Sequence, residues 1–344
     1  MPTLKEVAER AGVSTATVSK VLSNTPYFSE ETRARVMEAI AALGYVPNPV
    51  ARAVSKGRTY IVGLASPLIA TQLADDPHLV MFMCGVDEVL REHDYNLLLL
   101  TATAQGDANS AYRRLVRTRY VDGAVIGEPP GDEALRQQLA QQDYPLVVKG
   151  YHGPFNGINT IHADDCGGAR QLTDHLIALG HRRVGLISCV LPLHVVERRV
   201  AGFREALLAH DLPWHEDRGT AGDFTFESGY RAAHRLMHKC PDLTALFALN
   251  DRMAMGAIRA LRERGLSVPG DVSVAGFDDV PEAARFDPPL TTVRQPSLDM
   301  GHLAAQKLLA LIDGVIDSFD SVELPAELVV RASSGSAPAL HGGR

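Results

Sequence analysis

The sequence predicts an α/β protein with two parts: an N-terminal three-helix helix-turn-helix headpiece and a larger, two-lobed body of parallel, doubly wound sheets. Two observations predict this fold. Three short helical patterns, two of them ending at glycine, occupy residues 1–46, and strands then alternate with helices of about 10–15 residues. Because the alternating part is about 280 residues long and exceeds one such sheet, we expect two lobes.

The headpiece is predicted over residues 1–46. Each helix is expected to begin at a hydroxyl side chain that caps its N-terminus and to turn an apolar stripe inward. The capping residues are Thr3, with Glu6 as its capping-box partner, Ser14 and Ser29. Gly12 and Gly44 can adopt the left-handed conformation that ends a helix. A glycine turn between the first two helices is typical of a helix-turn-helix unit.

The body is predicted over residues 59–332. Aliphatic runs favour strands, and apolar residues three or four apart favour helices. The predicted strands are 60–65, 96–101, 122–126, 145–148, 183–188, 243–248 and 272–277, and the predicted helices are 79–93, 108–118, 131–142, 166–179, 199–209 and 251–264. We assign 59–162 and 292–320 to the first lobe, 163–291 and 321–332 to the second, and a disordered Ser/Gly/Ala/Pro tail to 333–344.

Charge is distributed unevenly along the 344 residues, whose net charge is −7. Residues 1–58 contain eight basic and five acidic groups and carry +3, so the remainder carries −10. A basic module on an acidic body favours a DNA-facing headpiece. No apolar run approaches the ~20 residues of a membrane-spanning helix, and the N-terminus lacks the pattern of a secretion signal. We therefore expect a cytoplasmic protein with no membrane partner.

The stretch LKEVAERAGVSTATVSKVL carries the most specific pattern of the chain. The segments that share it are 4–22, SEETRARV at 29–36, LGYVPNPVAR at 43–52, HLIALGHRRVGLIS at 175–188, AGF at 201–203, ALNDRMAMGAIRAL at 248–261 and PGDVSVAGFDD at 269–279. Together they resemble the lactose-repressor (LacI/GalR) family of transcriptional regulators over nearly the whole chain. The resemblance implies a periplasmic-binding-protein-like body and a homodimer, possibly a higher oligomer, that binds near-palindromic double-stranded operator DNA under the control of a small-molecule effector.

The resemblance assigns DNA reading to the second helix, because the N-terminal end of such a helix reaches base edges in the major groove. Thr15, Ala16 and Lys20 match the base-reading positions, and Thr17 and Ser19 are placed for phosphate contacts. Lys20 stands where arginine is frequent, and lysine lacks the bidentate fork of a guanidinium. The alternative is that Thr15 and Thr17 only decorate a solvated helix.

The linker, residues 47–58, resembles the family segment that becomes helical on operator DNA and inserts an apolar side chain into the minor groove. Val54 occupies the inserting position, where leucine is usual, and Ala51 packs nearby. Arg52 and Lys56 are expected to contact the DNA backbone without sequence preference. The alternative is that Val54 is an ordinary linker residue.

The resemblance also implies an effector site between the two lobes, with a sugar as the expected effector. Charged and amide groups suit several hydroxyls at once, and an aromatic face suits the apolar side of a sugar ring. The first candidates are Arg199, Phe224, Asn250 and Asp278, and the weaker ones are Lys149, Asp164 and Asp251. Asn250 and Asp251 also fit an ordinary helix cap. A purine or other non-sugar effector, and a solute-binding protein, are the alternatives.

No other chemistry is indicated by the sequence. His234 and His238 lie four residues apart with Cys240 nearby, which is a plausible metal-ligand spacing. However, His234 is expected on a packed helix face beside Tyr230 and Met237. No phosphate-binding glycine loop and no nucleophile motif occurs. We therefore predict no metal, no cofactor and no enzymatic activity.

Val54→Leu is expected to tighten operator binding by roughly 0.5–1.5 kcal/mol. Leucine adds about one methylene of buried surface and, being unbranched at Cβ, costs less in a helix. Competitive titration of both proteins on operator and on random duplex measures the effect, and the gain should be confined to operator. Equal operator affinity, or an equal gain on random DNA, would show that Val54 is not the inserted residue.

Overall fold

In a computed structural model, the chain forms two compact units: the headpiece, Met1–Tyr60, and the body, Ile61–Arg344. The structure describes residues 2–22, 28–46, 57–103, 107–117, 120–129, 132–152, 157–316 and 320–338. The linker candidates Ala51, Arg52, Val54 and Lys56 lie outside the described residues. No helix within these ranges has both the length and the apolar character needed to cross a membrane.

The headpiece consists of α1 (Leu4–Ala11), α2 (Thr15–Leu22) and α3 (Glu30–Leu43). The predicted capping box is confirmed: the Thr3 backbone N–H donates to Glu6 Oε2 over 2.6 Å, and the Glu6 N–H donates to Thr3 Oγ1 over 3.3 Å. Gly12 and Gly44 adopt the left-handed conformation, with φ of 66° and 60°. The buried face is made by Val7, Ala8, Ala11, Val18, Val21, Val36 and Ala39.

The first lobe is built on a six-stranded parallel sheet. Its strands are β1 (Ile61–Ile69), β2 (Asn96–Ala102), β3 (Gly123–Gly127), β4 (Leu146–Lys149), β5 (Asn159–Ala163) and β11 (Ser321–Leu324). Its helices are α4 (Ala70–Ala74), α5 (Pro77–Glu92), α6 (Ser110–Arg117), α7 (Glu133–Ala140) and α13 (Ser297–Ile312). The strand order is β11-β5-β4-β3-β1-β2.

Two helices of the first lobe, α5 and α13, approach each other closely because glycine lies on both sides of the contact. A Cβ atom at Gly85 would lie 2.2 Å from the Leu298 carbonyl oxygen, and one at Gly301 would lie 2.2 Å from the Phe82 carbonyl oxygen. Any larger residue would force the two backbones apart.

The second lobe is built on a four-stranded parallel sheet in the order β7-β6-β8-β9. Its strands are β6 (Val184–Cys189), β7 (Gly219–Gly222), β8 (Ala245–Ala248) and β9 (Ser273–Ala275). Its helices are α8 (Asp165–Ala178), α9 (His194–Ala209), α10 (Phe226–Lys239), α11 (Asp251–Glu263) and α12 (Pro281–Arg285). An antiparallel pair, β10 (Thr292–Arg294) and β12 (Glu327–Val329), completes the body.

Two predicted domain boundaries are wrong. Residues 321–324 were expected in the second lobe, but β11 pairs with β5 in the first sheet, because the chain returns from α13 to that edge of the sheet. The predicted disordered tail also starts too early. Ser333 is fully buried and donates through Oγ to the Val274 carbonyl over 2.6 Å, and the Ala337 N–H donates to the Leu179 carbonyl over 2.9 Å.

The polar residues of the body converge because parallel strands end at the same sheet edge. Lys149 is the last residue of β4, and Glu128 directly follows β3. In the second lobe, Asn250 follows β8 and Asp278 follows β9 within three residues. The carboxyl edge of an open α/β sheet is where such folds bind ligands.

Candidate functional site

A cavity in the body, called the cleft below, is lined by residues of both lobes. Five of the seven predicted effector residues line it: Lys149, Arg199, Phe224, Asn250 and Asp278. Residues that the sequence did not single out also contribute polar groups to the lining: Asp76, His78, Glu128, Asp165, Asp223 and Gln295. Apolar side chains, among them Leu79, Phe82 and Leu193, cover much of the remaining wall.

Arg199 is a buried cation that projects from α9 and is held by groups from three other segments. Its Nε donates to Asp165 Oδ1 over 2.7 Å, and its Nη1 donates to the Leu249 carbonyl over 2.5 Å. Nη1 also lies 3.4 Å from Asp278 Oδ1. The guanidinium carbon lies 3.8 Å from the centroid of the Phe277 ring, a cation–π geometry. Arg199 is therefore an organising residue of the cleft.

Asp165 is the carboxylate that the sequence analysis missed. Asp164 was predicted instead, but its Oδ1 accepts the Gly167 N–H over 2.7 Å as the cap of α8, and it does not line the cleft. Asp165 accepts from Arg199 and from His152 Nε2, which lies 2.9 Å from Oδ2. Burial alone would raise the pKa of Asp165, but Arg199 and His152 hold it below its ordinary value. The adjacent acids could be told apart only by the direction of their side chains.

Asp278 is a strained and electrostatically unusual residue. Its backbone has a φ of 120°, which side-chain-bearing residues rarely adopt. Gln295 Nε2 donates to its Oδ1 over 2.6 Å. Burial raises the pKa of Asp278 to about 7, although Arg199 acts in the opposite direction. A carboxyl group of this kind can exchange a proton near neutral pH when a ligand changes its surroundings.

Asn250 and Phe224 are linked to each other at the wall of the cleft. Asn250 Oδ1 accepts the Met253 N–H over 2.9 Å, so the residue is the cap of α11, and its Nδ2 donates to the Phe224 carbonyl over 3.0 Å. The Asn250 side chain therefore both caps α11 and lines the cleft. Phe224 has a φ of 66°, which its fixed carbonyl helps to maintain.

Lys149 belongs to a second polar chain on the first-lobe side of the cleft. Its Nζ lies 3.0 Å from His78 Nε2, and His78 Nδ1 lies 2.6 Å from Ser297 Oγ. Because the ammonium can only donate, His78 must accept at Nε2 and donate at Nδ1, as a neutral imidazole does. Burial lowers the pKa of His78 well below its ordinary value and also lowers that of Lys149.

Asp251 was predicted as a weaker effector residue, but it does not line the cleft. It is fully buried, and its Oδ2 accepts the Val280 N–H over 2.9 Å. The Thr292 hydroxyl donates to Oδ1. Asp251 therefore holds the loop after β9 against β10, and this loop carries Asp278. Burial, followed by the charge of Asp278, raises the pKa of Asp251 well above its ordinary value.

Two further histidine groups lie in the body, one of them joined to the cleft network through the contact between His152 and Asp165. His152 and His162 have nitrogen atoms within 4.8 Å of each other and of a Glu323 carboxylate oxygen. Their ring centroids are 3.9 Å apart and the rings are tilted by 39°. The nitrogen lone pair with which an imidazole binds a metal lies in the plane of the ring. Because these rings overlap, and His152 Nε2 is already bonded to Asp165, we assign no ion to this group. His234 packs edge-on against Tyr230, with centroids 4.7 Å apart.

The headpiece presents the predicted DNA residues on α2. Thr15, Ala16 and Lys20 are exposed, whereas Thr17 and Ser19 are half-buried. The Thr17 N–H donates to Ser14 Oγ over 3.1 Å, so Ser14 caps the helix and orients its first turn.

A helix-turn-helix headpiece in one chain with a two-lobed body and a polar cleft defines a DNA-binding regulator that carries its own ligand-binding domain. The model of the bacterial regulatory proteins of the lacI family matches residues 3–48, and that of a periplasmic binding protein-like domain matches residues 173–334. The HTH-type transcriptional regulator CelR of Thermobifida fusca is 36% identical over 96% of this chain and 98% of its own length.

Solved structures agree with these matches. A transcriptional regulator CelR–cellobiose complex has a TM-score of 0.75 and 35% identity, covering 97% of this chain and 100% of the other. The lac repressor dimer bound to operator and the anti-inducer ONPF has a TM-score of 0.83 and 28% identity, covering 97% and 99%. The chain belongs to the lacI family of bacterial regulatory proteins and is a sequence-specific, DNA-binding transcriptional regulator.

Arg199→Ala is expected to lower the free energy of unfolding of the full-length protein by about 3–5 kcal/mol, because it leaves Asp165 and Asp278 buried without their cation. Urea denaturation measures the change. Arg198→Ala is the matched control: Arg198 is the exposed neighbour on the same helix, and its loss should cost less than about 0.5 kcal/mol. Equal stability of the two variants would contradict the organising role of Arg199.

Proposed function

We propose that this regulator is a cytoplasmic homodimeric repressor of genes for carbohydrate uptake or metabolism, and that a sugar in the cleft sets its affinity for a near-palindromic operator. The proposal rests chiefly on one observation. The cleft combines Asp278, Asn250 and the Arg199 network with an aromatic residue, Phe224, at one wall. Such a set can bind several hydroxyls while covering one apolar ring face.

The electrostatics of the cleft also favour a neutral, hydroxylic ligand. Two cations of the cleft already have an anionic or neutral protein partner: Arg199 lies on Asp165, and Lys149 on His78. A strongly charged ligand would leave one of these buried groups without its counterpart, which is costly. The similarity to a CelR–cellobiose complex, which covers nearly the whole chain, supports a saccharide.

Operator binding is proposed to use the exposed residues of α2 together with the linker. Thr15, Ala16 and Lys20 would read bases, and Thr17 and Ser19 would contact phosphates. Arg52 and Lys56 would add backbone contacts, and Val54, supported by Ala51, would enter the minor groove. The similarity to a lac repressor dimer bound to operator supports this arrangement.

The homodimer is proposed to form through the first lobe. Val80 and Met81 on α5 are 39% and 37% exposed, and Leu99 on β2 is 37% exposed. The strand β2 lies at the edge of the first sheet, beside α5. An apolar patch at a sheet edge is unfavourable in water and suits a self-complementary interface.

Sugar binding is tested with the full-length protein by thermal shift and calorimetry with cellobiose, glucose and ribose, and with adenine and guanine as non-sugar competitors. A sugar at about 100 times its Kd should stabilise the protein by about 2.7 kcal/mol. The same sugar should change affinity for an operator obtained by binding-site selection roughly 5–150-fold. Binding by a nucleobase alone would contradict the sugar proposal.

A chain lacking residues 1–58 is the control for that experiment. It should lose operator binding and retain the sugar, and operator binding by the full chain should fall steeply with salt as counterions are released. Specific operator binding by the shortened chain would contradict the role of the headpiece. Unchanged operator affinity at saturating sugar would contradict the regulatory role of the cleft.

Met81→Glu is expected to convert the dimer to a monomer, because it places charges within the proposed apolar interface. Sedimentation velocity measures the mass, and operator affinity should fall at the same time because one half-site contact is lost. Val315→Glu is the matched control: Val315 is 75% exposed and lies outside the proposed interface. A dimeric Met81→Glu variant would exclude this surface.

A further inference from the structure

Glu128 is a buried carboxyl group of the first lobe that contacts the second lobe at the cleft. It directly follows β3, is only 5% exposed and lines the cleft. Its Oε2 accepts the backbone N–H of His194, the first residue of α9, over 2.8 Å. The ring of His194 also stacks on Tyr151 of the first lobe, with centroids 4.0 Å apart. Glu128 therefore joins the end of a first-lobe strand to the start of a second-lobe helix.

The other carboxyl oxygen of Glu128 is uncommitted. Oε1 is buried and has no hydrogen-bond partner within the part of the chain that the structure describes. A buried acceptor without a donor is unfavourable, and native proteins rarely keep one without a use. One of the free N–H groups at the N-terminus of α9 donates to Oε2, but none of them donates to Oε1.

The surroundings of Glu128 contain few charges that could compensate it. Arg136 of α7 and Glu197 of α9 act on it with opposite sign, and the Tyr112 hydroxyl of α6 donates to its backbone carbonyl over 3.5 Å. Burial is the dominant influence and raises the pKa of Glu128 to about 7. The other charged or titratable residues that line the cleft are Asp76, His78, Lys149, Asp165, Arg199, Asp223, Arg252 and Asp278.

We propose that Glu128 is a specificity-determining residue of the cleft. Its Oε1 accepts a hydrogen bond from a hydroxyl group of the effector, while its Oε2 continues to accept the His194 N–H at the N-terminus of α9. This inference rests on the proposed sugar effector. One bound hydroxyl would then be connected, through a single carboxylate, to the helix that carries Arg199. Glu128 is not among the residues that the family resemblance assigns to the effector site.

The proposal has a defined pH dependence. A hydroxyl that donates to Glu128 binds the ionised carboxylate better than the protonated one, since charge-assisted hydrogen bonds are about twice as strong as neutral ones. Sugar affinity should therefore rise as the pH passes through about 7. Asp278 also has a pKa of about 7 and lines the cleft. The informative quantity is consequently the affinity ratio between wild type and a Glu128 variant, in which the contribution of Asp278 cancels.

The test is calorimetry of full-length wild type and Glu128→Gln with cellobiose, glucose and ribose between pH 5.5 and 8. Glutamine keeps the shape and an acceptor oxygen for the His194 N–H but cannot ionise. For a sugar that binds, we expect wild type to bind roughly tenfold more tightly than the variant at pH 8, and with nearly equal affinity at pH 5.5. Glu92→Gln, an exposed glutamate of the same lobe, should match wild type throughout.

The free protein supplies a second readout. The pKa of Glu128 is raised in the folded state, so its contribution to stability is present at low pH and is lost as the pH rises through about 7. The Tm of Glu128→Gln should therefore rise relative to wild type between pH 5 and 8. A constant Tm difference would overturn the buried-carboxyl assignment.

The two proposals fail differently. If none of the three sugars binds wild type, the sugar effector is wrong, and the hydroxyl assigned to Glu128 falls with it. If a sugar binds wild type but Glu128→Gln shows the same affinity at every pH, the sugar effector stands and the role of Glu128 is overturned.

Discussion

The body depends on one buried cation. Arg199 is 4% exposed, and taking a guanidinium out of water is unfavourable unless its donors are occupied. Asp165 at the start of α8, the Leu249 carbonyl after β8 and Asp278 after β9 supply the acceptors, so a single side chain ties together three segments that are far apart in sequence. The Phe277 ring beneath the guanidinium limits its tilt. Arg199 therefore helps to position two carboxylates of the cleft, Asp165 and Asp278.

The Arg199 network limits how the cleft can bind a ligand. Arg199 already donates to protein acceptors, so an effector meets a preorganised charge network and not a free cation. Asp278, whose contact with Arg199 is long at 3.4 Å and whose pKa is about 7, is the member most easily altered. Asp278 stands on the loop that Asp251 holds against β10, and β10 pairs with β12.

The fold of the headpiece, unlike that of the body, depends on short-range interactions. Its caps involve residues three apart, such as Thr3 with Glu6 and Ser14 with Thr17, and its core is a small set of aliphatic side chains. The cap and the core residues that order α2 are themselves part of the headpiece. In the proposed homodimer, coupling between the ligand and DNA would arise from how the two bodies constrain the two headpieces, which is a matter of linkage between sites.

The sequence alone determined the helix-turn-helix unit and the alternation of strands and helices, because caps, turns and periodicity depend on neighbours a few residues away. Five residues that line the cleft were predicted through the resemblance to the lacI family. Only the tertiary structure decided that Asp165 and not Asp164 faces the cleft, and that α9 begins at His194, five residues before its predicted start. It also decided that β11 joins the first sheet and that Glu128 faces α9. Each of these depends on contacts between strand ends and helix starts tens of residues apart, which no local pattern encodes.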